Sequence, residues 1–195
     1  LVAGCGTGQH SIGTAVRFKN SNVLAIDLSL SSLAYAKRKT EELSITNINY
    51  MQADILQLQK LDRQFDVIES VGVLHHMNNP MAGWQVLVDC LRDGGLMKIG
   101  LYSELARQSI IAMRRKISQS GIGSGDVEMK LFRSNSIESS EVQDKLVRSW
   151  VDFYSLSEFR DLLFHVQEHR FTIPQLKRCL DKLGLKFCGF ENGSI

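Results

Sequence analysis

Three glycines alternate near the start of the chain, Gly4-Cys5-Gly6-Thr7-Gly8, directly after the apolar run Leu1-Val2-Ala3. A glycine-rich turn between a strand and a helix lets backbone approach a ligand closely. It also aims the free N–H groups of the helix start at that ligand. A GxG turn alone requires no ligand and can be only a tight turn, so its flanks decide. Residues 1–3 read as the tail of a strand begun earlier, and the sequence is therefore read as a fragment cut inside its first element, part of a longer chain. Ile12, Ala15 and Val16 fall at i, i+3 and i+4, one face of a helix opening near Gly8.

The same alternation continues. Val23–Asp27 is a buried-type strand ending on an acid, and Leu33, Ala36, Thr40 and Leu43 line a second helix with Ser29 or Ser31 as N-cap. Ile48–Gln52 is a third strand ending near Asp54, and residues 65–70 are a fourth. Pro80 suits the first turn of a helix whose apolar face is Trp84, Leu87, Val88 and Leu91, stopped by Gly94 or Gly95. Residues 96–101 are a fifth strand. Strands alternating with helices mean βαβ units, a parallel sheet and helices on both faces. Ligands of such sheets bind at the carboxyl ends of the strands. That rule gathers the glycine loop, Asp27, Asp54, Glu69 and Ser70 into one crevice.

The second half has a different pattern. Residues 105–117 are expected to be helical, 118–126 a flexible turn cluster and 136–148 a charged helix. Ser155 with Glu158, and Thr172 with Gln175, are capping-box patterns. The second opens an amphipathic helix (Leu176, Cys179, Leu180, Leu183) stopped by Gly184, and residues 185–191 read as a late strand. The expected organisation is a ligand-binding core over 1–102, a mostly helical insertion over 103–171, and 172–195 returning to the core. Arg114, Arg115 and Lys116 read as a solvated helix face, with an anionic substrate as the alternative. Trp150, Phe153 and Tyr154 read as core or as a pocket wall.

Composition narrows the function classes. The chain is 44% hydrophobic and 23% charged with a net charge of +2, so there is no strong electrostatic case for nucleic acid or an anionic membrane. No apolar run approaches the ~20 residues that span a bilayer, and no secretory signal is visible. Cys5, Cys90, Cys179 and Cys188 form no CxxC pair. No metal site is expected from them, and free thiols in a reducing cytoplasm fit best.

The glycine spacing narrows the ligand. Gln9 stands where a GxGxxG dinucleotide fingerprint would have its third glycine. Asp27 lies about 20 residues on, the distance at which an acid meets ribose hydroxyls. A carboxylate there leaves the sheet end negative, which suits a cationic sulfonium better than a pyrophosphate.

With these features together, the first 102 residues resemble class I S-adenosylmethionine-dependent methyltransferases. Leu1-Val2-Ala3-Gly4-Cys5-Gly6-Thr7-Gly8 resembles their first motif, and Val23-Leu24-Ala25-Ile26-Asp27-Leu28-Ser29 their ribose-binding strand. Met51-Gln52-Ala53-Asp54-Ile55 is similar to the third motif, whose acid takes the adenine amino group. The run from Phe65 to Met77 is similar to the fourth motif of members that methylate small molecules. Leu91 to Ile99 resembles the fifth strand. The resemblance implies a Rossmann-like doubly wound sheet of order 3-2-1-4-5-7-6, S-adenosyl-L-methionine as cofactor and a small-molecule methyl acceptor. It implies that Gly4, Cys5, Gly6, Gly8, Asp27, Leu28, Asp54, Ile55, Glu69 and Ser70 bind the cofactor. The sequence departs at one point. The family usually carries an acid two positions before the first motif glycine, supporting the loop and the cofactor's amino-acid end, and here that position is Val2.

Methyl transfer from a sulfonium is an in-line displacement, so alignment is the enzyme's main task. A general base is needed only for a weakly acidic hydroxyl or a protonated amine. His75 and His76 are the candidates for such a base, with structural packing as their other reading. His10, in the first turn of the first helix, is a candidate near the cofactor carboxylate. Glu69-Ser70-Val71-Gly72 stands where enzymes acting on nucleic-acid amino groups carry an Asn/Asp-Pro-Pro-Tyr type turn, which argues against a flipped base as acceptor.

Two other classes compete. His165-Val166-Gln167-Glu168-His169 fits the H-x-x-E-H zinc-peptidase pattern, against which stands the new helix start that follows at once. A non-catalytic binding module with the same fold is the other, and the intact Gly4, Gly6, Gly8 and Asp27 argue against it.

Overall fold

The structure, a computed structural model, describes residues 1–191. The chain falls into two compact units, one of Leu1–Leu101 with the chain from Ile173 onward, the other Tyr102–Thr172.

The first unit is built on a parallel sheet. Strand β1 (Val2–Ala3) is central, and the order is β3-β2-β1-β4-β5, with β2 Val23–Asp27, β3 Ile48–Gln52, β4 Phe65–Val71 and β5 Leu91–Gly100. Val2, Ala3, Val23, Ala25, Ile26, Ile48, Phe65 and Ile68 of these strands are buried, while Val67, Val71 and Leu96 toward the β4-β5 edge are exposed. Helix α1 (Gln9–Arg17) follows β1, α2 (Leu30–Glu42) follows β2, and α3 (Pro80–Asp89) leads into β5. Ser29 caps α2 by accepting the Ser32 N–H at 3.2 Å, and Asn79 caps α3 ahead of Pro80. One cluster of the core joins Ile26, Ile68, Leu74, Trp84 and Leu87; another joins Val2, Cys5, Ala15, Ala25 and Leu33.

Several boundaries differ from expectation. The buried face of α1 is Ser11 and Ala15, and Val16 is exposed. Helix α3 ends at Asp89, before Gly94 and Gly95. Strand β5 begins already at Leu91, because Phe65 pairs with Leu91 and Val67 with Leu96 across a bulge that absorbs both glycines. Residues 185–191 form no strand among the described residues. They follow helix α8 (Ile173–Lys182) and carry Gly189 at φ 146. Glu191 still returns toward the sheet, paired with Lys98 of β5. The sixth and seventh strands of the implied order are therefore not seen among the described residues; part of the expected return, 192–195, lies outside them. Leu176, Cys179, Leu180 and Leu185 pack on the first core cluster.

The second unit is mostly helical: α4 (Gln108–Gln119), α5 (Asp126–Glu138), α6 (Val142–Arg148) and α7 (Leu156–Phe159), the last continued by a π turn at Arg160–Phe164. The expected helix over 136–148 is interrupted by extended backbone at Ser139 and Glu141. Ile110, Met113, Met129, Phe132, Val147, Phe153 and Phe159 form its core; Trp150 packs against that core, and Tyr154 is exposed. Two short parallel strands, β6 (Tyr102–Ser103) and β7 (Arg170–Phe171), close the unit.

A buried charge cluster sits beside these strands. Arg107 donates to both oxygens of Glu168, at 2.6 and 3.1 Å, and its guanidinium lies 3.6 Å from the Tyr102 ring centroid. Arg170 reaches Glu168 and Glu104, and Arg114 reaches Glu168 and the His165 carbonyl. This corrects two expectations. Arg114 faces inward onto a carboxylate, and Lys116 pairs with Glu141 and Asp144, so the basic run is not a uniformly solvated face. The H-x-x-E-H segment is not a helix, since the π turn ends at Phe164 and 165–169 run without regular structure. Glu168 is held by three guanidiniums, the opposite of a base poised beside zinc.

Candidate cofactor site

The site is built from the carboxyl ends of β1, β2, β3 and β4. The N–H groups of Gly4 and Cys5 both donate to the Ile26 carbonyl, at 2.8 and 2.9 Å, which fastens the loop to β2. The three loop glycines all have positive φ, but they do different jobs. A Cβ on Gly4 would stand 2.2 Å from a methyl of Val73, and one on Gly8 would stand 2.6 Å from Cβ of Ala36. These two glycines let neighbouring segments touch. Around the equivalent position of Gly6 (φ +51) there is nothing within 4 Å. Gly6 therefore faces open space.

Asp27 closes the loop from the next strand. Its Oδ2 accepts the Gly6 N–H at 2.8 Å and its Oδ1 accepts the Ser29 N–H at 2.9 Å. Leu28, next in sequence, is 67% exposed. Asp27 pairs with Gln52 across β2 and β3, and the Ala53 N–H donates to the Asp27 carbonyl, which carries Asp54 to the same end of the sheet. Asp54 N-caps the 3₁₀ helix Ile55–Leu61 by accepting the Leu56 N–H at 2.9 Å; Ile55 is buried in the core. Cys5 is also buried. Burial, with the Asp27 carboxylate nearby, pushes its thiol up to about 11, so it stays protonated.

At the end of β4, Glu69 and Ser70 are both buried. Glu69 Oε2 accepts from the Thr14 hydroxyl at 2.6 Å and lies 3.3 Å from His10 Nε2. The neighbouring His10 imidazole, helped by the Thr14 hydroxyl, holds this carboxyl below its usual range in spite of the cost of burial. His10 is thus brought into the site on Glu69. Thr14 was not a candidate in the sequence, although it stands four residues after His10, on the same helix face. His75 and His76 lie on the 3₁₀ turn Leu74–His76 that follows, with ring centroids 4.3 Å apart; His75 is buried.

A glycine loop opening a helix, an acid on the second strand and a buried acid at the end of the fourth define an α/β cofactor-binding domain. Its family follows from the sequence match. Residues 1–95 match the family model described as "Methyltransferase domain", and the chain carries a class I S-adenosylmethionine-dependent methyltransferase domain. An uncharacterised protein of Synechococcus sp. is 30% identical over 200 residues, covering 98% of this chain and 48% of its own length. The (S)-coclaurine N-methyltransferase of Papaver somniferum is 30% identical over 97 residues, 50% of this chain and 27% of that enzyme. The chain thus spans about half or less of the length of these curated relatives. In fold it resembles PKMT2 from Rickettsia typhi, with a TM-score of 0.74 at 19% identity over 93% of this chain and 37% of that one. The same protein in complex with AdoHcy gives 0.68 at 20% identity, over 92% and 37%. No helix among the described residues is long and apolar enough to cross a membrane.

Proposed function

We propose that this chain binds S-adenosylmethionine across the glycine loop and transfers its methyl group to a small-molecule acceptor. The observation that carries this reading is the open space beside Gly6, with Asp27 bonded to that same residue. The cofactor supplies a sulfonium-activated methyl group. In this reading Gly4, Cys5, Gly6 and Gly8 shape the bed, and Asp27 accepts from the ribose hydroxyls. Its two oxygens offer about four lone-pair sites, and two backbone N–H groups leave capacity for more. Leu28, Asp54 and Ile55 border the adenine, while Glu69 and Ser70 border the amino-acid end.

The acceptor lobe is assigned to residues 103–171. A small-molecule acceptor is supported by the likeness of the first half to an enzyme named for coclaurine. His75 and His76 are the candidate bases for a protonated amine. Calorimetry with S-adenosylhomocysteine tests the cofactor reading: micromolar binding is expected, and no binding by the full-length protein sinks it. Release of S-adenosylhomocysteine from a panel of small amines, hydroxyls and carboxylic acids tests the acceptor class. Turnover confined to protein or RNA substrates would overturn it.

A further inference from the structure

The ion cluster of the second unit is not balanced. Three guanidiniums, Arg107, Arg114 and Arg170, meet two carboxylates, Glu168 and Glu104, which leaves one positive charge without a counterion. The geometry identifies it. Arg107 is 2% exposed and takes both oxygens of Glu168. Arg170 takes Glu104 at 2.9 Å and reaches Glu168 at 3.4 Å. Arg114 is left with the edge of Glu168, 3.5 Å from an oxygen that Arg107 already holds at 2.6 Å. Among the described residues the one hydrogen bond of Arg114 goes to the His165 carbonyl, and its buried Nη1 makes none. Burial above all holds this guanidinium below its ordinary value; Glu168 offsets part of that, and Arg107 and Arg170 add to it.

A cation drawn out of water without a partner of its own is costly, and an anion offsets that cost. The exposure pattern leaves room for one from outside. The Arg107 and Glu168 side chains are sealed, at 3% and 1%, whereas 21% of Arg114 and 28% of Arg170 remain open to solvent. The sealed pair thus anchors two part-exposed guanidiniums through the shared Glu168. We propose that Arg114 and Arg170 form an anion site of the second unit, and that its ligand is the carboxylate of a small molecule. One missing negative charge matches a monoanion, and the planar guanidinium fork matches a planar carboxylate. Arg107 and Glu168 are the positioning residues. The site stands apart from the S-adenosylmethionine reading of the glycine loop, and its test needs no cofactor.

The arginine Nε–H signals in proton–nitrogen NMR spectra of the full-length protein read the site directly. Acetate, titrated at constant ionic strength, should move the Arg114 and Arg170 signals to saturation with a Kd of about 1–20 mM. Acetamide, its neutral isostere, should move neither. Arg114→Met should abolish the acetate response of Arg170. It should also melt within about 2 °C of wild type, because the charge it removes lacks a full partner, whereas Arg107→Met breaks the sealed pair and should melt far lower. Wild-type signals that do not saturate with acetate, or that move equally with acetamide, would overturn the proposal without any variant. An Arg114→Met midpoint as low as that of Arg107→Met would overturn it too, by making Arg114 a structural partner of Glu168. Inorganic phosphate that binds more tightly than acetate would overturn the carboxylate assignment.

Discussion

The backbone N–H of Gly6 donates to Oδ2 of Asp27 at 2.8 Å, so a carboxylate at the end of β2 shapes the loop that follows β1. Its other oxygen accepts the Ser29 N–H, just ahead of α2. Asp27→Ala removes both charge-assisted bonds, each worth about 1.5–3 kcal/mol. Asp27→Asn keeps one acceptor oxygen and can preserve one of them. The expected order of thermal midpoints is wild type, then Asp27→Asn, then Asp27→Ala. If Asp27 accepts from the ribose as proposed, S-adenosylhomocysteine binding should weaken at least about tenfold in both variants, because neither keeps a charged acceptor there. A midpoint for Asp27→Ala equal to wild type would show that these bonds do not hold the loop.

The three glycines divide by what surrounds them. Gly4→Ala and Gly8→Ala each drive a methyl into a neighbour, Val73 or Ala36, at a positive φ. Overpacking costs about 1–3 kcal/mol, and the left-handed backbone adds about 1 kcal/mol or more. Both variants should melt well below wild type. Gly6→Ala carries only the backbone cost, because its new methyl enters open space. It should fold nearly as well as wild type and lose ligand binding. Denaturant titration beside calorimetry reads both quantities, and a Gly6→Ala protein that binds S-adenosylhomocysteine normally would place the ligand elsewhere.

Much of this was legible in the sequence because it rests on local rules. The βαβ alternation gave β2, β3 and β4 almost to the residue, and Ser29 and Pro80 marked two helix starts through capping chemistry. What escaped depends on tertiary pairing. The bulge that lets β5 start at Leu91 exists only against β4. Burial of Ser11 instead of Val16 follows from how α1 is rotated against the sheet. Thr14 carried no motif, and its part at Glu69 required α1 and β4 to meet. The segment from His165 to His169 matched a peptidase pattern by spacing alone. The guanidiniums on Glu168 come from positions 107, 114 and 170, which spacing cannot see.

Cys5 stands inside the loop and yet should be chemically quiet. Its thiol is buried and pushed up to about 11, leaving little thiolate at neutral pH, and the thiolate is the reacting species. Cys188 is exposed. Alkylation with iodoacetamide at pH 7.5, read by peptide mass spectrometry, should modify Cys188 first and Cys5 slowest among the four. Rapid modification of Cys5 in folded protein would contradict its burial.

Glu168 should make the second unit acid-sensitive. Burial works against its charge, but Arg107, Arg114 and Arg170 outweigh that cost and hold its carboxyl below the ordinary value of 4.5. A carboxyl depressed in the folded state contributes stability that is fully present above the unfolded value. That contribution is lost as the pH falls through the folded value. Glu168→Gln removes the anion and leaves the buried Arg107 guanidinium without its carboxylate; breaking such a pair costs about 3–5 kcal/mol. The gap between wild type and Glu168→Gln in urea titrations should therefore be full at pH 7. It should shrink as the pH drops below about 4.5, where the unfolded chain begins to take up the proton, and be lost once the pH has fallen through the lower folded value. Arg107→Met should be destabilising in the same pH range, since it strands Glu168 with only the more exposed Arg114 and Arg170. A gap that stays constant from pH 7 to pH 3 would mean that the ionised carboxylate contributes nothing beyond its shape.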